Sequence, residues 1–239
     1  MVSSLRHLAR RLLDGPFNRF VFFKSPLLAS ALRKRWAIVK NPLATIRFGK
    51  HVYAGPGFSI HAPFGGTFIA HDGVEFRRRF RTELGEPEAR IEIGAGSYLT
   101  YDVIITCATT IEIGERCGLG QCTYVADGNH RYRDLTKTFM EQGYNFRPLK
   151  IEDDVQIHSK CTIVNNIGRR AIIGANAMVT KPIPPYCVAG GVPARVLDYY
   201  GPPGMEPEGW ESHRDGASAE TGEASRAERA QPGSVERSR

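Results

Sequence analysis

The sequence predicts an all-β solenoid, a parallel β-helix whose short sides stack into a prism. Three observations carry this reading. Aliphatic residues recur every six positions: Ile93, Leu99, Ile105; Ile113, Leu119, Val125; Ile151, Ile157, Ile163; and Ile167, Ile173, Val179. Six is neither the 3.6-residue period of a helix nor the alternation of a hairpin meander. The second place of a hexad is often small, as in Gly94, Gly114, Gly120 and Gly174, and the fifth is often small or β-branched, as in Ser97, Val103, Thr109, Cys117, Thr123, Val155, Cys161 and Ala177. One hexad spells a strand and a corner. Three hexads close a triangular coil, and stacking buries each first-place aliphatic against its equivalent about 18 residues on.

Taken in order, residues 1–45 read as a basic segment, helical in pieces and broken at Gly15-Pro16, Pro26 and Pro42. Residues 1–50 hold eleven Lys and Arg against one acid, Asp14, a charge of +10 in a chain whose total is +7. Interleaved with Leu5, Leu8, Leu12, Leu13, Phe17, Phe20 and Trp36, these charges suit an anionic membrane or a lipid-linked phosphate. The plainer alternative is a helical cap over the end of the core. No helix-turn-helix, zinc or RNP-type motif accompanies the charge, so nucleic acid is not expected as a partner. There is no apolar run of the roughly 18 residues that spanning a bilayer needs, and no signal-peptide pattern. The chain reads as cytoplasmic, with peripheral contact at the inner membrane face through residues 1–50. Its five cysteines, Cys107, Cys117, Cys122, Cys161 and Cys187, include no C-x-x-C pair. They read as small buried thiols rather than as a disulfide framework or a metal site.

Residues 46–198 form the predicted β-helix. A fainter set of repeats opens it at Phe48, Ala54, Ile60 and at Phe68, Val74, Phe80. The phase slips by two residues near Ile111 and again around Asn165–Asn166, and it is lost altogether across 131–150. A solenoid gains no stability from ejecting a loop of this length, and such loops carry function. The break comes just past His130, which puts that ring at the groove between coil and loop. Residues 199–239, rich in Gly, Pro, Ser, Glu and Arg with few aliphatics, read as a disordered tail.

The segment around the break is Asp127-Gly128-Asn129-His130, then Tyr132-Arg133-Asp134, Gln142-Gly143 and Pro148-Leu149-Lys150-Ile151. The chain closes on "IIGANAMVTKPIPPYCVAGGVPARVL", residues 172–197. With the hexads, these stretches resemble the hexapeptide-repeat acyltransferases, and in particular those that O-acetylate polysaccharide and lipopolysaccharide. The usual crossover rule favours a right-handed coil, whereas the resemblance implies a left-handed one. It also implies a homotrimer, acetyl-CoA as acyl donor and a saccharide or lipid-linked glycan as acceptor. His130 falls on the family's catalytic histidine. The histidine that usually stands two residues earlier is replaced by Gly128. Thr100, where relatives often carry Asn, joins Asp127, Asn129 and Gln142 on the acceptor side. Ser159, Ala175 and Thr180 would line the pantetheine slot, with Lys181 and Arg195 facing the nucleotide phosphates. Other acceptors (an amino sugar, serine or a drug) and a silent scaffold are the alternatives.

The chemistry suits a single histidine. An acceptor hydroxyl must lose its proton as it attacks the thioester carbonyl, and a neutral imidazole takes protons near neutrality. Asp127, Asp134 and Glu141 are the nearby carboxylates that could orient the ring. No metal is expected, and no covalent acyl-enzyme is needed.

Overall fold

The computed structural model describes residues 25–208 and residue 210. The chain divides into two compact units, Met1–Asp198 and Tyr199–Arg239. The predicted helical pieces within residues 1–24 lie outside the described residues, as does most of the predicted tail. In the second unit, the rings of Tyr199 and Trp210 stand 6.1 Å apart.

The first unit is a parallel β-helix with three faces. The first face stacks Thr45–Phe48, Thr67–Ala70, Arg90–Ile93, Thr110–Ile113 and Leu149–Ile151, continued by bridges through Ile167 and Ile183. The second runs from Tyr53–Ala54 through Glu75–Phe76, Tyr98–Leu99, Gly118–Leu119, Gln156–Ile157 and Ile172–Ile173 to Cys187–Gly190 and Arg195–Tyr199. The third runs from Ser59–His61 through Arg81–Leu84, Ile104–Cys107, Tyr124–Ala126 and Thr162–Ile163 to Met178–Val179.

The hexads define this register. Ile93 pairs with Ile113 and Ile113 with Ile151; Leu99 pairs with Leu119, and Leu119 with Ile157; Ile105 pairs with Val125, and Val125 with Ile163. All are buried. The partners are not a constant 18 residues apart, because the phase slips are taken up at the coil ends. The faint upstream set needs a correction. Ala70, Phe76 and Thr82, not Phe68, Val74 and Phe80, align with Phe48, Ala54 and Ile60. Each side points two residues inward, two apart along the strand. The second inward position can therefore carry the bulk, and Phe68, Val74 and Phe80 are fully buried there. Gly94 and Gly114 are small because adjacent coils meet at the second place. A Cβ on Gly94 would overlap the Gly114 backbone, and one on Gly114 would overlap Asp153.

Two of the three corners are regular. At the first, the residues with positive φ are His51, Gly73, Gly96, Arg116, Asp154, Arg170 and Tyr186. At the second they are Gly57, Arg79, Asp102, Cys122, Lys160 and Asn176. All occupy the fourth place of a hexad. Their amides continue the ladder from coil to coil: Arg116 N–H donates to Ala95 O and Asp154 N–H to Glu115 O, both at 2.9 Å. At the second corner, Cys122 N–H donates to Tyr101 O, Lys160 N–H to Gln121 O and Asn176 N–H to Ser159 O. Side chains reinforce the columns, with Arg79 paired to Asp102 at 2.5 Å and Arg116 to Asp154 at 2.7 Å. These arginines hold the Asp102 and Asp154 carboxyls below the usual carboxylate range. Cys107, Cys117, Cys161 and Cys187 are buried as expected, but Cys122 is exposed, because its left-handed backbone turns it out of the core.

A helix, α1 (Ser25–Val39), covers the open end of the first coil. Pro26 sits in its first turn, where the missing N–H costs nothing, so it begins this helix rather than breaking one. The inward face of α1 is polar. Ser30 Oγ accepts from Ala54 N–H, while Arg33 and Lys34 donate to the carbonyls of Ala54 and Val52 at 3.0 and 2.8 Å. Just beyond the helix, buried Asn41 donates to Ala37 O and Ile60 O and accepts from Ala62 N–H. These contacts satisfy backbone groups that an end coil would otherwise leave unpaired. The outward face carries Leu27, Leu28, Leu32, Trp36, Ile38 and Val39, with Trp36 65% exposed. Beneath the cap lies an aromatic core, with Phe58 5.0 Å from Phe76 and Phe76 4.5 Å from Phe80.

Asn41→Ala should destabilise the fold by roughly 2–4 kcal/mol, since it orphans three buried backbone groups. Urea denaturation reads the change, and a loss below about 1 kcal/mol would show that the cap does not carry the first coil.

Candidate active site

The third corner is the irregular one, and the candidate site is built there. The coil does not run on to His130 as the hexad pattern implied. It ends at Ala126, and the excursion spans 127–148 rather than 131–150. Gly128–His130 pairs antiparallel with Tyr144–Phe146, forming a hairpin that leaves the prism.

Asp127 is the pivot. It is 6% exposed, and both carboxylate oxygens are engaged. Ala108 N–H donates to Oδ1 at 2.9 Å, and Thr109 donates to Oδ2 through its N–H at 2.6 Å and its hydroxyl at 2.8 Å. Arg147 N–H closes the hairpin base onto Asp127 O at 2.8 Å. The Asp127 carboxylate, expected on the acceptor side, ties the hairpin to the coil below. Thr109, a fifth-place residue, is half-buried and serves as one of its donors. Burial, followed by the Asp127 charge, pushes the neighbouring Cys107 thiol up to about 12.

Gly128 stands where the resemblance implies histidine, and the hairpin explains the departure. A Cβ there would overlap the ring of Phe146 on the facing strand. That ring stacks on Tyr144 at 5.2 Å, and His130 lies between Tyr144 at 4.3 Å and Phe139 at 4.5 Å. The imidazole is thus oriented by aromatic packing. None of the three candidate carboxylates is spent on it. Asp127 is engaged as above, Asp134 accepts from Thr136 N–H and Oγ1, and Glu141 accepts from Thr138 N–H and Oγ1. Gln142 also turns inward, accepting from Asp134 N–H and donating to Lys137 O, so it shapes the loop.

His130 opens on a cleft of about 390 Å³, which Asp127, Asn129, Tyr124, Tyr144, Glu83 and Glu86 help to line. Glu83 and Glu86 went unnoticed in the sequence because they stand at the end of the upstream third side, where nothing in the hexads marks them. An imidazole at the wall of such a cleft can take a proton from a bound hydroxyl.

The remaining expected residues divide between corners. By the register of Val125, Ile163 and Val179, the pairs Thr180-Lys181 and Ala126-Asp127 share the third corner, two coils apart. At the strand spacing of a sheet that separation is about 10 Å. Thr100, Ser159 and Ala175 follow second-face strands and share the second corner. Thr100 Oγ1 donates to Leu119 O there. Arg195 is exposed at the start of the last strand. One copy of the chain therefore does not gather Thr100 with His130, nor Ser159 and Ala175 with Thr180 and Lys181. Among the described residues, no cluster of His, Cys, Asp and Glu could hold a metal ion.

No family model matches the chain. A probable acetyltransferase of Mycobacterium tuberculosis is 32% identical over 112 residues, covering 46% of this chain and 37% of that protein. The galactoside O-acetyltransferase of Escherichia coli is 34% identical over 113 residues, covering 46% of this chain and 54% of that one. Both of these relatives are named as acetyltransferases. The chain spans about half the length or less of these two curated relatives. The fold recurs in a variant of an N-acyltransferase from Bacillus cereus, solved with dTDP-4-amino-4,6-dideoxyglucose and coenzyme A. That structure has a TM-score of 0.54 and 15% identity, covering 79% of this chain and 95% of that one.

Proposed function

We propose that this chain is an acetyl-CoA-dependent O-acetyltransferase acting on a hydroxyl of a saccharide or lipid-linked glycan, as in the making of cell-surface polysaccharide or glycolipid. The observation that carries the reading is the His130 imidazole, held between Phe139 and Tyr144 at the wall of an open cleft. His130 takes the hydroxyl proton as the oxygen attacks the thioester carbonyl. The tetrahedral intermediate collapses, the C–S bond breaks, and the departing thiolate takes the proton back from the imidazolium. No acyl-enzyme forms.

The donor lies along the third corner, with its phosphates met by Lys181 and Arg195, since a polyanion wants fixed cations. Ser159 and Ala175 sit at a different corner of the same copy. A homotrimer of left-handed prisms, in which one copy's second corner meets its neighbour's third, brings the two sets around one pantetheine arm. The same arrangement puts Thr100 of one copy opposite His130 of the next. A second reading, an amino-sugar acceptor, draws support from Glu83 and Glu86, whose carboxylates suit an ammonium in the cleft.

Work on a lipid-linked acceptor suits an enzyme held at the cytoplasmic face of the membrane. The exposed Leu27, Leu28, Leu32 and Trp36 of α1, beside exposed Arg35 and Lys40, favour that placement. Among the described residues no helix is long and apolar enough to cross a membrane, so the contact is peripheral in this reading.

His130→Ala should lower turnover by roughly 10²–10⁴ while the folded structure persists. Release of coenzyme A thiol from acetyl-CoA with neutral and amino sugars reads it, and near-normal turnover would overturn the base assignment. Sedimentation should give a trimer, and an active monomer would contradict the shared donor site. The full chain should float with anionic vesicles at low salt and release as salt rises, with Leu28→Glu plus Trp36→Glu abolishing flotation. Failure of the unaltered chain to float would end the membrane reading.

A further inference from the structure

The excursion has a second cleft, of about 450 Å³, lined by Arg131, Tyr132, Arg133, Asp134, Lys137, Gln142 and Asn145. It lies on the ribbon face opposite His130. Side chains alternate along a strand, so His130 and Tyr144 share one face, while Asn145 and Arg131 share the other. Arg131 Nε donates to Asn145 Oδ1 at 2.9 Å, which pins the guanidinium and leaves its terminal nitrogens available. The Arg133 guanidinium lies 5.4 Å from the centre of the Tyr132 ring. Neither arginine forms an ion pair among the described residues.

One loop acid offsets one of these cations, since Asp134 forms an ion pair with Lys137, while Arg131 and Arg133 stay outside it. Asp134 is bound by Thr136 and approaches Lys137 at 3.5 Å, and Glu141 is spent on Thr138. The cleft therefore gathers three cations against one carboxylate. Gln142 closes its floor by tying Asp134 N–H to Lys137 O.

We infer that this cleft binds the phosphate or diphosphate of a phosphate-activated sugar, the acceptor lying across the edge of the hairpin with its sugar against His130. The inference rests on the acetyltransferase reading and narrows its acceptor to a phosphoryl ester of a saccharide. Planar guanidinium groups match phosphate oxygens in pairs. His130 and Arg131 are consecutive, with Cα atoms about 3.8 Å apart, but their side chains leave opposite faces, so the acceptor crosses the ribbon edge to place a sugar hydroxyl at His130 and its phosphate at Arg131. The phosphate could be a nucleotide's or a polyprenyl lipid's, and the chemistry at the cleft is the same.

The test is calorimetric titration of the full chain with inorganic pyrophosphate, with coenzyme A kept saturating so that Lys181 and Arg195 are occupied. Binding should weaken as salt rises. Arg131→Ala plus Arg133→Ala should weaken it by about tenfold or more. If the double variant melts early, Arg133→Ala and Lys137→Ala singly should each weaken binding. No binding at millimolar pyrophosphate, or equal binding with and without the cations, overturns the proposal. Uridine diphosphate and vesicles carrying a polyprenyl diphosphate then separate the sources. Arginine-dependent binding of either supports the acceptor class, and binding of neither overturns it. Binding needs no acetyl transfer, so a failure here is distinct from a failure of His130→Ala to lose turnover.

Discussion

The whole prism depends on continuity of the backbone hydrogen-bond ladder around its corners. A coil can stack only if its turns, as well as its strands, donate and accept in step with the coils above and below. At two corners this is done by residues in the left-handed backbone region, ten of them not glycine. Each such residue costs on the order of 1 kcal/mol or more. The cost is borne because the rotated amide, as at Arg116, Asp154, Lys160 and Asn176, is aimed at a carbonyl of the adjacent coil. An unpaired amide in the same place would cost more. The Arg79–Asp102 and Arg116–Asp154 pairs then run along the columns these turns create.

With two corners committed, variation collects at the third. There the chain leaves the ladder after Ala126, and the lost backbone pairing is replaced by a side chain. Asp127 takes three donors from Ala108 and Thr109. The hairpin is thereby anchored to a rigid coil while its far end stays open to solvent. One ribbon face becomes an aromatic stack that orients an imidazole, and the other becomes a basic cleft. A rigid scaffold supplies the position and a loop supplies the chemistry.

The N-terminal end poses the same ladder problem in another form, since the first coil has nothing below it. Helix α1 meets this with an inverted amphipathicity. Its polar residues Ser30, Arg33 and Lys34 face the prism and pair with its backbone, while its large apolar residues face outward. Two of the basic residues that give the segment its charge are thus capping residues, and burial lowers the Lys34 ammonium. The cap, one of the two readings when only composition is read, is thus one face of this helix, and its exposed apolar residues form the other.

By itself the sequence determined the solenoid, its register over 91–197, the small second places and the existence of an excursion near His130. These follow from periodicity, and burial against an equivalent residue one coil away leaves the same mark at every turn. The fourth-place corners were not legible, because Arg, Asp, Lys, Asn and Cys occupy them and their shared property is a backbone angle rather than a composition. The roles of Asp127 and Gln142 were decided by tertiary structure: each sits in a motif that suggests substrate contact, yet each is satisfied by partners in its own fold. So was the division of Ser159 and Ala175 from Thr180 and Lys181 between two corners, since the stacked strands decide which corner each residue occupies. Gly128 shows the limit most plainly. Its departure from the family pattern makes sense only once Phe146, eighteen residues on, is seen lying across it.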